Sequence, residues 1–240
     1  MGEVPVEPPP SVWDFPPPSR FHPDDDLVAT GADLEPGTLL TAYRRGLFPM
    51  PVGGPRAPMA WFCPVTRGVL GPKDLRVSRS LRRSVRRFEV RVDTSCAAVI
   101  DACADPTRPA GWIDGPIRTA YLRLHELGWV HSVETWRAGR LVGGLYGVSI
   151  GGLFAGESMF HHETDASKAA LVGLAELLDD GEDRLVDTQW QTPHLASLGV
   201  GRMTREGYLR LLPDLLRVPL PTWPAARPPF PGRPGPGLRS

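Results

Sequence analysis

The chain has 240 residues, and its 27 Lys plus Arg balance its 27 Asp plus Glu, so formal net charge gives no hint of a nucleic-acid partner. Hydrophobic residues make up 41%, enough to fill one good-sized domain, or a small one and a larger one. No apolar run nears the ~20 residues that span a bilayer, the acidic, proline-rich N-terminus lacks the segments of a secretory leader, and three cysteines without CxxC spacing make no disulfide framework; a cytoplasmic protein with reduced thiols is expected.

In chain order, residues 1–20 carry Pro8-Pro9-Pro10 and Pro16-Pro17-Pro18, the composition of an extended, disorder-prone tail. Residues 21–62 read as a small N-terminal domain. It holds a short helix with Leu39, Leu40 and Tyr43, ended near Gly46, then breaks at Pro49, Pro51, Gly53-Gly54 and Pro58. So little core would not fold well alone. A larger unit spans 63–217. In it, 78–87 is a basic helix, and 88–93 a strand in which Val90 and Val92 alternate with charges. Thr94 is placed to cap a helix running to about Cys103. Pro116 and Gly128 bracket another helix, with Ile117, Tyr121 and Leu124 at i, i+4, i+7. Three antiparallel strands follow at 130–137, 141–150 and 153–160, turned by Ala138-Gly139 and Gly151-Gly152. Asp165 is placed to cap a helix through Leu178 with Leu171, Leu174 and Leu178 on one stripe. A short strand at 185–189 and a helix at 204–212 complete the unit. Residues 218–240 form a second proline-rich tail, flexible or wrapped on the surface.

The order after residue 87 matches an α+β, acetyltransferase-like N-acyltransferase domain, with a mixed, mostly antiparallel sheet flanked by helices. Fold alone does not give function. Two local patterns bear on chemistry. Lys73, Arg76, Arg79, Arg82, Arg83, Arg86 and Arg87 form a basic stretch opposed only by Asp74, and on a helix from residue 78 Arg79, Arg82, Arg83 and Arg86 share one face. A solvated helix face normally mixes signs; this one suits phosphates. His161-His162-Glu163 is no metal site, because adjacent strand residues point to opposite faces, and no metal or other cofactor is expected.

Several blocks carry a resemblance. They are Ala42-Tyr43-Arg44-Arg45-Gly46-Leu47-Phe48-Pro49, His131-Ser132-Val133-Glu134, Gly143-Gly144-Leu145-Tyr146-Gly147, Gly156-Glu157-Ser158-Met159-Phe160, Ala166-Ser167-Lys168, Asp187-Thr188-Gln189 and His194-Leu195-Ala196-Ser197-Leu198-Gly199. In this order and spacing, from about 27 to 212, they resemble the leucyl/phenylalanyl-tRNA–protein transferase family. The resemblance implies an aminoacyltransferase that moves Leu, Phe or Met from aminoacyl-tRNA to the N-terminal Arg or Lys of acceptor proteins, marking them for regulated proteolysis. A monomer is the default expectation.

The resemblance puts Gln189 at the centre. Asp187, two positions earlier on a strand, projects to the same face and is placed to hold the Gln189 amide. Gln189 then either polarises toward the incoming amine or only orients it while a tRNA ribose hydroxyl relays the proton. Glu157 is either a buried structural partner or, as the resemblance implies, a holder of the cationic acceptor. Leu145, Phe154, Met159 and Leu171 are candidates for a donor side-chain pocket, and equally for ordinary core. The family position of Trp112 serves the tRNA 3′ adenosine; Tyr43 is a further stacking candidate. Where relatives commonly carry Trp after Phe-Pro, this chain has Met50, so Trp61 is a candidate substitute. The basic stretch fits the tRNA acceptor stem. A CoA-dependent acetyltransferase is the rival on this fold, but 163–167, where its pyrophosphate loop would lie, has no glycine and two acids. A non-catalytic tRNA-binding module is the rival from another class.

Overall fold

The computed structural model describes residues 4–53, 57–107 and 111–224. Gly54, Pro109 and the C-terminal tail from residue 225, with its Pro228-Pro229-Phe230-Pro231-Gly232 run, lie outside them. The chain begins with β1 (Leu27–Thr30), α1 (Pro36–Arg44), β2 (Phe48–Pro51) and β3 (Met59–Phe62), whose strands form an antiparallel sheet in the order β1-β3-β2. The sequence showed only the helix here, because four-residue strands, one of them holding two prolines, give no periodicity. Pro49 and Pro51 both lie in β2, an edge strand, where a missing N–H leaves no ladder bond broken. Just past the end of α1 lies Gly46, whose φ of 77° only glycine adopts freely, and a Cβ there would lie 2.7 Å from Leu209.

The larger unit contains β4 (Thr66–Leu70), α2 (Arg79–Val85), β5 (Glu89–Val92), α3 (Cys96–Cys103), α4 (Gly115–Glu126), β6 (Val130–Arg137), β7 (Arg140–Ile150), β8 (Leu153–His161), α5 (Ala166–Leu178), β9 (Leu185–Gln189), α6 (Pro193–Ser197), β10 (Gly201–Thr204) and α7 (Arg205–Leu215). Its seven strands run in the order β10-β4-β9-β8-β7-β6-β5. Among the described residues only β8 and β9, linked through α5, are parallel. The expected meander and the helices around it are present. β4, β10 and α6, too short to show a pattern, were not foreseen. Two expected caps differ. Ser95, not Thr94, precedes α3, and the Thr94 hydroxyl instead donates to Glu134. Asp165 does precede α5, but its carboxylate holds Lys168 rather than a backbone N–H.

One face of the large sheet packs on α1, α3 and α4 through Leu39, Tyr43, Ile100, Tyr121, Tyr146 and Val148, in a core continuous with Trp61 of the N-terminal sheet. The small module therefore completes its core only against the larger unit. The other face carries α5 and α2 over Val133, Leu145, Phe154, Leu171 and Val186. The described parts of the two proline-rich segments, from residue 4 and up to residue 224, are extended but docked. The Val6 N–H donates to Leu127, the Trp129 indole donates to the Val6 carbonyl, and Phe15 sits edge-on to Trp61. Trp223 stacks on His131 with ring centroids 4.0 Å apart. In each strap a buried aromatic offsets the ordering of a proline-rich segment whose backbone is already stiff.

Candidate active site

The parallel pairing of β8 with β9 covers only Leu153, Phe154 and Ala155 against Leu185, Val186 and Asp187. Beyond it the strands part. In the same stretch the β7–β8 register slips between Tyr146 and Gly147, leaving Glu157 as the extra residue of a bulge. The gap between Gly156–Met159 and Thr188–Gln189, floored by α5, is a cavity of about 260 Å³. Leu145, Phe154, Met159 and Leu171 all line it, with Glu157 and Gln189 among its polar groups. The four apolar residues named from sequence thus surround space rather than filling a sealed core.

Gln189 ends β9 at a φ of 57°, a left-handed conformation that disfavours a side chain by about 1–2 kcal/mol. Asp187 fixes it: its Oδ1 accepts the Gln189 backbone N–H at 2.9 Å. Asp187 is fully buried, and its other bonds run away from the cavity. Arg67 of β4 donates through Nε at 2.8 Å and Nη2 at 2.5 Å, and the Tyr208 hydroxyl at 2.9 Å. Arg67 is itself 1% exposed. Burial disfavours its charge, but the adjacent carboxylate outweighs burial and raises its pKa. Its Nη1 donates to the Gly46 carbonyl at 2.9 Å, tying the end of α1 to this pair. The expectation that Asp187 grips the Gln189 amide is therefore corrected. Both oxygens of Asp187 are engaged elsewhere, and among the described residues the buried Gln189 amide nitrogen has no hydrogen-bond partner, nor does the Thr188 hydroxyl beside it. A buried donor left unpaired costs about 1–3 kcal/mol, which a ligand acceptor would recover.

Glu157 sits in a triangle. The Tyr43 hydroxyl donates to Oε1 at 2.6 Å, the Tyr121 hydroxyl to Oε2 at 2.9 Å, and the two phenol oxygens lie 2.5 Å apart. Three edges need three protons. With Glu157 ionised the two phenols supply only two, and the short Tyr–Tyr edge is bare; a protonated Glu157 supplies the third by donating to one phenol, whose own proton then turns to the other phenol. Burial, acting against both phenols, pushes this carboxyl up to about 7. The residue is half-buried and borders the cavity.

Other placements depart from the sequence reading. Tyr43 is 1% exposed and committed to Glu157, so it offers no stacking face. Trp61 is fully buried, its indole donating to the Gly31 carbonyl at 2.6 Å, and it does not replace the missing aromatic at Met50. Trp112 is half-buried against the core beside α3 and α4, outside the cavity lining. Lys73, Arg76, Arg79, Arg82, Arg83, Arg86 and Arg87 are all exposed, with Lys73 3.7 Å from Asp179, and Leu81 and Ser84 turn α2 inward, though the helix spans Arg79–Val85 and not 78–87. Arg67, Tyr121, Tyr208 and His194 were missed. Arg67 left one signal, a lone charge beside the apolar run Gly68-Val69-Leu70.

Two family models match the chain. The one described as leucyl/phenylalanyl-tRNA protein transferase covers residues 69–213, and the one for that protein's N-terminal domain covers 32–65. A leucyl/phenylalanyl-tRNA–protein transferase of Aromatoleum aromaticum is 53% identical over 197 residues, spanning 80% of this chain and 82% of the relative. One from an Azoarcus species is 49% identical over 199 residues, spanning 81% and 84%. Among solved structures, a GCN5-related N-acetyltransferase-like protein of Streptococcus suis aligns over 58% of each chain at 18% identity with a TM-score of 0.32.

Proposed function

The chain belongs to the leucyl/phenylalanyl-tRNA–protein transferase family, and from that premise we propose that it moves Leu, Phe or Met from aminoacyl-tRNA to the N-terminal Arg or Lys of acceptor proteins. The product is an N-degron, read by regulated proteolysis, and the enzyme works as a cytoplasmic monomer. No helix among the described residues is long and apolar enough to cross a membrane. The small N-terminal domain, 21–62, serves the catalytic unit, 63–217, as a wall that carries Tyr43 to Glu157.

The observation that carries this reading is the apolar cavity with an unpaired amide and a near-neutral carboxyl among its lining. The donor side chain enters among Leu145, Phe154, Met159 and Leu171, and burying Leu or Phe there contributes about 1.5–3 kcal/mol that Ala or Gly forfeits. Flexible Met159 accommodates branched, aromatic and thioether shapes. Glu157, when ionised, attracts the acceptor ammonium and takes one of its protons, a task suited to a group titrating near neutrality. The freed amine attacks the ester carbonyl, a C–N bond replaces the C–O bond, and the tRNA ribose hydroxyl leaves with a proton. The Gln189 amide donates to the carbonyl oxygen as negative charge develops. Asp187, Arg67 and Tyr208 act through Gln189 by fixing its backbone. Alignment of ester and amine supplies up to roughly 7–11 kcal/mol of the barrier. Trp112 receives the terminal adenine. Lys73, Arg76, Arg79, Arg82, Arg83, Arg86 and Arg87 meet acceptor-stem phosphates, contacts that carry no base readout.

The test is transfer of labelled Leu from Leu-tRNA to an Arg-initiated peptide by wild type and by a folded Glu157→Ala, Gln189→Ala double variant. Loss of transfer in the variant supports the assignment; transfer at the wild-type rate overturns it.

A further inference from the structure

Next to the donor cavity lies a second hollow of about 370 Å³, lined by Met159, His161, Thr164, Asp165, Ser167, Lys168 and His194. It shares Met159 and His194 with the donor cavity, so the two are contiguous. Its character is different: apart from Met159 its wall is polar or charged. Resting on the functional reading above, we propose that this hollow seats phosphodiesters near the 3′ end of the donor tRNA, on Lys168, His161 and His194, and so extends the basic face of α2 to the mouth of the donor cavity.

The charge balance supports an anion. Among the described residues Asp165 is the one acid in the wall, and Lys168 holds it at 2.8 Å. Its carboxyl is lowered first by that bond, then by Ser84 and the charges of Lys168 and Arg87, against partial burial. Ser84 lies in α2 and Arg87 just beyond it, so the end of the arginine helix reaches this spot. Within the wall Lys168 balances Asp165, and Arg87, close enough to lower the Asp165 carboxyl, adds one positive charge from outside it. Burial, then the charges of Lys168 and His161, hold the His194 pKa down, so His194 meets an anion as a neutral ring that donates one N–H. Glu163, next in sequence, turns to Arg137 at 2.6 Å and to Arg140 at 3.8 Å. The Thr164 and Ser167 hydroxyls add donors suited to phosphate oxygens. The acceptor's N-terminal Arg or Lys, which brings two positive charges, is repelled by the same wall, so the hollow separates the nucleic-acid side of the site from the peptide side.

The test compares two donors that deliver the same group: Phe-tRNA, and 3′-O-phenylalanyl-adenosine, which has no phosphate. Wild type and a His161→Gln, Lys168→Gln variant are assayed with an Arg-initiated peptide. The expected result is a fall in kcat/KM of about tenfold or more with Phe-tRNA, clearly larger than any fall with the adenosine ester, and a salt dependence shallower by about 0.7 for each phosphate no longer neutralised. Because Lys168 also braces Asp165, Lys168→Arg is the second variant; it keeps the charge and should recover most of the tRNA rate. Equal losses with both donors, an unchanged salt slope, or no recovery by Lys168→Arg overturns the proposal. A wild-type chain inert toward both donors overturns the transferase reading itself, and the proposal with it.

Discussion

Replacing Glu157 by Gln should remove a pH dependence built into the fold. The Glu157 carboxyl titrates near 7 when folded, against an ordinary 4.5, because burial opposes its charge. A raised acid pKa means the native state holds the proton more tightly than the unfolded chain. Its contribution is therefore fully present below about pH 4.5 and is lost progressively as pH rises toward and through 7. At 1.36 kcal/mol per unit the full loss is about 3 kcal/mol, and the side open to the cavity screens it to roughly 2–3 kcal/mol. The carboxamide that Glu157→Gln introduces does not titrate, and it keeps a donor for the short Tyr43–Tyr121 edge. Urea unfolding of both proteins from pH 4.5 to 8.5 should show the wild type losing about 2–3 kcal/mol relative to the variant, mostly between pH 5 and 7.5. A stability difference that stays constant over that range would falsify the account of Glu157.

Three further outcomes follow from the same geometry. Arg67→Met leaves the Asp187 carboxylate buried and unpaired, and urea unfolding should show a loss of about 3–5 kcal/mol; a loss under about 1 kcal/mol contradicts the buried pair. Gln189→Gly relieves a φ of 57° and removes an unpaired buried amide, so stability should rise by about 1 kcal/mol while transfer falls at least about 100-fold; an active variant refutes the role given to the amide. Reversing Arg82, Arg83 and Arg86 to Glu should raise the KM for Leu-tRNA and reduce its log–log salt slope by up to about 3, with the apparent melting temperature little changed because all three are exposed. An unchanged salt slope removes tRNA from α2.

Much of the body was legible because its signals are local. The meander from 130 to 160 declares itself by two turns, and Ala138 and Gly139 do adopt the positive φ values, 49° and 72°, that such a turn demands. The four cavity residues were identifiable as apolar, but whether they packed or lined space depended on where β8 and β9 part, which no single segment encodes. Asp187 shows the limit most clearly. Its spacing from Gln189 implied a shared task, and the task exists, but it runs through the backbone N–H, because Arg67 arrives from 120 residues away to take the side-chain oxygens. Tyr43 was singled out for its ring face, and its contribution is the hydroxyl. Pairings at that separation follow from tertiary packing, not from periodicity.

The most direct test of the central claim is a crystal structure of the enzyme with a non-hydrolysable amide analogue of phenylalanyl-adenosine. The phenyl ring should lie among Leu145, Phe154, Met159 and Leu171, with the acyl oxygen within hydrogen-bond reach of the Gln189 amide and the Glu157 carboxyl on the side open to the acceptor. A ring bound elsewhere, with this cavity empty, contradicts it.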